Sequence, residues 1–459
     1  MDTRFKTIIE PFRIKSVEPI GITTQEQRSQ YIKEAGLNVF HLKSDRILID
    51  LLTDSGTSAM STEQWAGMMR GDESYAGSPS FYRFEDALKK VTGLEHIIPT
   101  HQGRAAERIV FQTLCTKGSL VVSNMLFDTT RANAEAAGCI TKDIPCKELK
   151  NTELESPFKG NIDLEKLEEI LTKEKVSMVV MTVTNNSGGG QPASMANIKA
   201  CSELCRKHHV PMVLDACRFA ENSWFIRLRE EGYSETSPLA IAQEMFSYCD
   251  ITTISAKKDG MVNMGGVLAL NNPEWAQLCK NNLILTEGFP TYGGLSGRDL
   301  EALAIGIFES LEEDYLRYRI QSTAFVGRGL QKAGIPIVTP PGGHTIYVDA
   351  KAFLSHIPVT QYPGQALAAA LYEFAGIRAC EIGSVMFGRP LPDGSEEPHL
   401  QELVRLAIPR RSYTQSHMEY VVEAFEVFKN EMAPKLKGVR FTYKPEVLRH
   451  FTARFEWAD

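Results

Sequence analysis

The chain has 459 residues, 43% hydrophobic and 23% charged, with a formal net charge of -7; that length exceeds what one hydrophobic core supports, so two domains are expected. The composition is that of a soluble globular protein, and the lack of a Lys/Arg block argues against nucleic acid or an anionic membrane as a partner. No apolar run approaches the roughly 18 residues of a membrane span, Met1-Asp2-Thr3-Arg4-Phe5 is not a secretory n-region, and nine cysteines without a Cys-x-x-Cys pair fit a reducing cytoplasm.

The first 45 residues carry Pro11 and Pro19 and little periodicity, which reads as an arm that wraps a neighbour and joins the smaller domain. From about Thr92 to Leu270 short β-branched runs alternate with helical patterns, the mark of strands joined by crossover helices. Strands are expected at Glu95–Pro99, Ser119–Ser123, Val176–Thr182, Pro211–Asp215, Ile251–Ser255 and Gly266–Leu270, with helices at Arg104–Thr113, Asp163–Thr172 and Ala196–Lys207. The expected fold class is therefore α/β, with a mainly parallel sheet. Cys201-x3-Cys205 followed by His208-His209 has metal-like spacing, but it lies on an amphipathic helical pattern, and packed side chains are the better reading. A long helix over Ala302–Ala333, with a break, leads to a strand at His344–Val348, a helix at Gly364–Phe374, a strand at Leu403–Ile408 and a helix at Ser416–Lys429. These elements do not alternate strictly, so a smaller α+β domain is expected. The expected boundaries are 1–45 for the arm and part of the small domain, 46–310 for the large domain and 311–459 for the small one.

In open α/β sheets ligands bind beyond the carboxyl ends of the strands. Thr100-His101-Gln102-Gly103-Arg104 closes one expected strand and opens a helix, where backbone NH groups, the helix dipole and the Arg104 fork form a phosphate cup. Asp215 ends the run Pro211-Met212-Val213-Leu214, with Ala216-Cys217-Arg218 after it, and a carboxylate there suits a protonated heteroaromatic nitrogen. Ser255-Ala256-Lys257-Lys258 follows Ile251–Ile254, and a lysine with a cationic neighbour is a Schiff-base former. Each has a plainer reading: a solvated arginine at a turn, an aspartate capping a turn, two solvated lysines. Their order along one sheet favours the set a pyridoxal cofactor needs: phosphate donors, an acid for the ring nitrogen and a lysine for the aldehyde. Phe127-Asp128 offers an aromatic face, although such a residue is more often core, and Thr184-Asn185-Asn186-Ser187 offers an amide. Gly188-Gly189-Gly190-Gln191-Pro192 lacks the ending of a phosphate loop and reads as a plain strand-to-helix turn.

From about Pro11 to Phe455 the sequence resembles the fold-type I β-eliminating lyases. The segments that carry the resemblance are Asp50-Leu51-Leu52-Thr53-Asp54-Ser55-Gly56-Thr57, Pro99 to Arg104, Ser255-Ala256-Lys257-Lys258-Asp259 and Glu287-Gly288-Phe289-Pro290-Thr291-Tyr292-Gly293-Gly294. The resemblance implies an aspartate-aminotransferase-like large domain that binds pyridoxal 5'-phosphate. Lys258 would carry the aldehyde, with Gln102, Gly103, Arg104, Ser255 and Lys257 around the phosphate. Phe127 would stack on the ring, Asp215 would pair with its nitrogen and Arg218 would lie near its phenolate oxygen. Arg410, Asn186 and Ser55 would meet the substrate carboxylate.

Within the family, the branch that releases phenol from L-tyrosine has Thr after the stacking Phe and Arg in a Ser-x-Glu-Arg-Gly stretch. The matching positions here are Asp128 and Ile382, within Arg378-Ala379-Cys380-Glu381-Ile382-Gly383. Together with His450 and Phe451 they match the branch that acts on L-tryptophan. The implied reaction yields indole, pyruvate and ammonia, with Lys258 as base at Cα and Tyr75, Asp128 and His450 steering a proton to the indole. The alternatives are phenol release from tyrosine, an aminotransferase, or a catalytically inactive cofactor-binding protein. The resemblance further implies a cytoplasmic homotetramer activated by a potassium ion near Gly56, Glu73 and Asn263.

Overall fold

In the computed structural model, which describes residues 7–391 and 396–459, the alternating segments of the middle chain form one seven-stranded sheet. Its strands are β1 (His96–Thr100), β2 (Leu120–Ser123), β3 (Ile140–Asp143), β4 (Val176–Thr182), β5 (Met212–Asp215), β6 (Ile251–Ser255) and β7 (Gly266–Leu270). The spatial order is β1-β7-β6-β5-β4-β2-β3. From β6 to β3 every pairing is parallel, whereas β7 runs antiparallel to both β6 and β1. The cause is chain length: the stretch between Ser255 and Gly266 falls short of the dozen or so residues that a parallel crossover needs. The carboxyl ends of the other six strands consequently share one edge with the start of β7.

Strands buried on both faces read as continuous apolar runs. In β6 and β7 every residue is buried, and Val121, Met178, Val180, Val213, Ile251 and Leu268 join one core cluster across the sheet. All six expected strands of this region are present within one residue of their expected bounds. The strand the sequence did not show is β3, an edge strand whose Ile140 and Lys142 face outward, so it lacks the apolar run that marked the others.

The chain divides into two compact units. One comprises residues up to Asp54, Lys150–Glu155 and Ile320–Asp459; the other comprises Ser55–Leu149 and Ser156–Arg319 and contains the seven-stranded sheet. Residues 46–54 thus belong with the smaller unit rather than with the large domain expected from position 46. Ile49 and Asp50 pair in parallel with Ile377 and Arg378, and Arg378 Nε donates to Asp50 at 3.0 Å. The lower boundary lies inside the helix Glu313–Lys332, which follows the helix Gly297–Glu309 after the expected break. Lys150–Glu155 joins the smaller unit through Thr152, whose hydroxyl donates to Asp349 at 2.9 Å.

The smaller unit is α+β. Its three-stranded antiparallel sheet sets Leu403–Ala407 between Cys380–Ile382 and Thr345–Asp349. Helix Pro363–Ala375 is apolar on nearly every side and is buried accordingly. A helix at Gln25–Glu34 corrects the expectation of an irregular arm. Thr24 and Gln27 form its capping box, and Ile32 is its buried apolar anchor. Arg28 Nε donates to Glu373 O at 3.0 Å and Nη2 to Phe374 O at 2.7 Å, which satisfies the end of the apolar helix.

Gly266 opens β7 opposite Thr100 and Ser255. A Cβ there would lie 2.4 Å from the Gln102 carbonyl carbon and 2.6 Å from Thr100 Oγ1. Gly266→Ala is expected to lower stability by about 1–3 kcal/mol through forced backbone movement. A thermal melt checks this, and an unchanged midpoint would show that the edge tolerates a side chain.

Candidate active site

The site starts where β1 ends. Gln102 caps helix Gly103–Leu114 from an extended conformation without a side-chain cap bond, so first-turn NH groups are left for a ligand. The helix can sit there because residue 103 is glycine: a Cβ would come within 2.5 Å of Ser255 Cβ. Gly103 and Ser255 therefore bring the helix start against the end of β6, where Lys257 and Lys258 follow.

One cavity on this edge is lined by Gln102, Gly103, Arg104, Phe127, Asn186, Asp215, Arg218, Ser255, Lys257, Lys258 and Ser55. All the residues that the sequence assigned to a cofactor line this one space. Asp215 ends β5, and its Oδ1 accepts from the Cys217 thiol at 2.9 Å, while Cys217 Sγ accepts the Ser255 NH at 3.2 Å. Burial raises the Asp215 carboxyl above its ordinary range, against the lowering pull of the Cys217 thiol, Lys258 and Arg218. Lys257 is lowered, first by burial and then by Lys258 and Arg104. Its carbonyl accepts the Gly56 NH at 2.7 Å, which ties it to the loop that carries Ser55.

Glu107, Thr130, Thr182 and Cys217 also line the cavity, and the sequence reading did not assign them. Glu107 lies one helical turn beyond Gly103, a spacing that faces the same side and was available as a signal. It is 8% exposed, and the Thr130 hydroxyl donates to it at 2.7 Å. Burial, reinforced by Asp215, pushes its carboxyl up to about 8. Thr182 is the last residue of β4, at the strand-end position inspected elsewhere, and its Oγ1 is buried without a hydrogen-bond partner among the described residues.

The remaining expected residues are placed as follows. Asp128 begins helix Asp128–Ala136 beside Phe127; it is buried, and its Oδ1 accepts the Thr129 NH at 2.6 Å. Tyr75 does not line the cavity. It is 70% exposed, packs against Phe289 and Tyr292 at 5.7 and 5.3 Å, and is raised by its hydrogen bond with Tyr292. Gly56 O accepts from Asn263 Nδ2 at 3.0 Å, whereas Glu73 is exposed and pairs with Arg298 at 2.6 Å. Arg410, Ile382, His450 and Phe451 belong to the smaller unit. Arg410 is fully buried there, with Nη1 2.9 Å from Asp54 Oδ2. Ile382 is fully buried, and His450 packs on Phe451 at 4.0 Å and Phe40 at 5.6 Å.

Two motif readings also have structural reasons. Gly189 and Gly190 have φ of 84 and 67, a region that favours glycine, in the turn closed by Asn185 NH to Gln191 O at 2.8 Å. In Glu287 to Gly294, Glu287 pairs with His101 and with Arg108 at 3.1 Å, and a Cβ on Gly293 would meet Pro99 O at 2.0 Å. That motif locks a loop onto the end of β1. Cys201 and Cys205 are fully buried on helix Met195–Lys207, as packed side chains.

A family model described as β-eliminating lyase matches residues 50–424. A protein named tryptophanase from Salinibacter ruber is 58% identical, covering 97% of this chain and 95% of its own. Another of that name from Hyphomonas neptunium is 56% identical, covering 98% and 99%. A tyrosine phenol-lyase from Symbiobacterium thermophilum is 46% identical, covering 97% and 98%. Among solved structures, a serine palmitoyltransferase from Sphingomonas wittichii superposes with a TM-score of 0.58 at 14% identity, over 90% of this chain and 97% of that one. A serine palmitoyltransferase from S. paucimobilis with PLP–myriocin bound gives 0.56 at 15% identity, over 84% and 88%. Those two likenesses show the fold, and it is the expected α/β class.

A carboxyl raised by folding contributes stability that is fully present below its ordinary pKa and lost as pH rises through the folded value. For Glu107 that loss falls as pH passes about 8. Between about pH 6 and about pH 9 the thermal midpoint of the unaltered protein should therefore fall further than that of Glu107→Gln, which cannot ionise. Parallel pH dependences would remove the buried-acid assignment.

Proposed function

Since the chain belongs to the β-eliminating lyase family and is a carbon–carbon lyase, we propose that it binds pyridoxal 5'-phosphate in the strand-end cavity and splits L-tryptophan into indole, pyruvate and ammonia. The residues present fit the group. Gly103 and Ser255 leave a cradle at the helix start that a Cβ would fill. The Thr182 hydroxyl, buried and without a hydrogen-bond partner among the described residues, borders the same space. Gln102, Gly103, Arg104, Ser255 and Lys257 would hold the phosphate, Phe127 would cover the ring, Arg218 and Asn186 would face its phenolic oxygen, and Lys258 would carry the aldehyde. When bound, the cofactor supplies an electron sink for charge developing at the substrate Cα.

The protein's own groups do the rest. Asp215 keeps a proton on the ring nitrogen, and its burial makes that charge pair strong. Lys258 Nζ takes the Cα proton. Asp128, Tyr75 and His450 are assigned the delivery of a proton to indole C3, without which indole is a poor leaving group. Arg410, with Ser55 and Asn186, is assigned the substrate carboxylate as a bidentate donor. Potassium at Gly56, Glu73 and Asn263, a homotetramer and a cytoplasmic location complete the reading, on the strength of the family resemblance.

The choice of tryptophan is carried by Asp128 and the apolar, buried Ile382. An apolar side chain suits an indole, whereas phenol release favours a cationic donor near the hydroxyl. Three relatives named tryptophanase at 55–58% identity, against 46% for relatives named tyrosine phenol-lyase, support it, while a further tryptophanase from Haemophilus influenzae is 45% identical. The purified protein should release indole from L-tryptophan far faster than phenol from L-tyrosine; the reverse ranking would assign it to the other branch. Lys258→Ala should abolish the cofactor's near-visible absorbance band and slow indole release at least about 100-fold. An unchanged spectrum would exclude Lys258 as the cofactor lysine. Activity equal in potassium and sodium buffers would remove the cation.

A further inference from the structure

The smaller unit buries two carboxyl groups against one glycine. Glu381 and Glu402 are 3% and 2% exposed. Glu381 lies on strand Cys380–Ile382, in register with Val404, and Glu402 immediately precedes the paired strand Leu403–Ala407. A Cβ on Gly383 would lie 2.7 Å from Glu381 Oε1 and 2.7 Å from Glu402 Oε2. Both oxygens thus border the space in front of Gly383, and only a glycine leaves room for them.

Both acids hold the short helix Ser384–Phe387. Glu381 Oε1 accepts the Val385 NH at 3.0 Å and Oε2 the Met386 NH at 3.1 Å. Glu402 Oε1 accepts the Ser384 NH at 3.0 Å and the Ser384 hydroxyl. Glu402 Oε2 is buried and has no hydrogen-bond partner among the described residues. The carbonyl side of the same segment is held by Arg449, which donates to Val385 O at 2.6 Å, to Ser384 O and to Gly388 O at 3.1 Å. Ile382 adjoins Glu381, and His450 adjoins Arg449. Two of the residues that hold the segment, Glu381 and Arg449, are thus each one residue from a group assigned to the leaving group.

Two carboxylates buried against one glycine do not both ionise at low cost. Burial pushes Glu402 up to about 7, and burial together with Glu402 raises Glu381 well above its ordinary range. The surrounding charges do not offset this. Arg449 lowers Glu381 but also pairs with Glu396, and the pull of Lys351 on Glu402 is opposed by Asp349. The Tyr362 hydroxyl is raised and donates to Glu396 at 2.8 Å. The His399 ring faces Gln401 O at 2.9 Å, and Arg405 donates to Leu52 O at 3.0 Å.

We propose that Glu381 and Glu402 hold one proton between them across Gly383 at neutral pH, and that this shared proton positions the 383–388 segment, and with it Ile382 and His450, for leaving-group discrimination. Glu402 Oε2, which faces Gly383, is the oxygen this proton serves. The inference rests on the roles proposed for Ile382 and His450. Because folding raises both acids, their stabilising contribution is full below the ordinary carboxylate range and declines as pH rises through about 7.

Amide hydrogen exchange across residues 384–388, corrected for intrinsic rates, tests the positioning without substrate. Between about pH 6 and about pH 8 the unaltered holoenzyme should lose protection there by about tenfold. Glu402→Gln, and independently Glu381→Gln, should lose clearly less protection over that range, because the acid that remains no longer faces a second carboxylate across Gly383. The ratio of kcat/KM for L-tryptophan to that for L-tyrosine should change with pH more in the unaltered enzyme than in the two variants. Constant protection in the unaltered enzyme, or equal losses in all three proteins, would overturn the shared proton. Protection that moves while the substrate ratio stays fixed would overturn the positioning role. If the enzyme instead preferred tyrosine, the exchange result would stand and only the substrate assignment would fall.

Discussion

Three backbone segments meet at Gly103, Ser255 and Gly266 more closely than side chains would allow. A Cβ at 103 would strike Ser255 Cβ at 2.5 Å, and one at 266 would strike the Gln102 carbonyl carbon at 2.4 Å. This contact sets the helix start at Gly103 directly on the end of β6, with β7 turned antiparallel between β6 and β1. Gln102, Gly103, Arg104 and the lysine pair thereby come to one edge. Asp215 reaches the same space from the adjacent parallel strand, held by a thiol whose sulfur also accepts the Ser255 NH.

That geometry explains the charge arrangement around the cavity. Two acids, Asp215 and Glu107, are buried beside the cations Lys258 and Arg218, and burial raises both acids. Glu107 is pushed up to about 8, and the Thr130 hydroxyl turns it toward the helix Asp128–Ala136, which leaves Asp215 as the acid proposed to face the ring nitrogen. Opposite charges in a dry site interact more strongly than in water, so a single acid at that position suffices for the proposed pairing.

Much of this edge was legible in the sequence because buried parallel strands leave unbroken apolar runs, and polar residues placed just after them stand out. Asp215, Ser255 and Lys258 were found by that rule. Thr182 obeys the same rule but was passed over for the residues after it, and Glu107 was missed because it lies a helical turn inside the element rather than at its mouth. Helix Gln25–Glu34 was illegible as an amphipathic pattern because one of its two buried residues is Arg28, which caps another helix. The affiliation of residues 46–54 and Lys150–Glu155 with the smaller unit depends on pairings with distant segments, such as Ile49 with Ile377 and Thr152 with Asp349, which local periodicity does not encode. Glu381 and Glu402 were hidden for the same reason: they are far apart in sequence and adjacent only through strand pairing. Tyr75 and Glu73 came from family resemblance alone, and both are exposed in this chain.

The central claim is that Lys258, and not its neighbour Lys257, carries the cofactor. Borohydride reduction of the pyridoxal-phosphate-loaded protein, followed by peptide mass mapping, addresses it directly. The expected result is a single pyridoxyl-phosphate adduct on Lys258; an adduct on Lys257, or none in the 251–266 region, would contradict it.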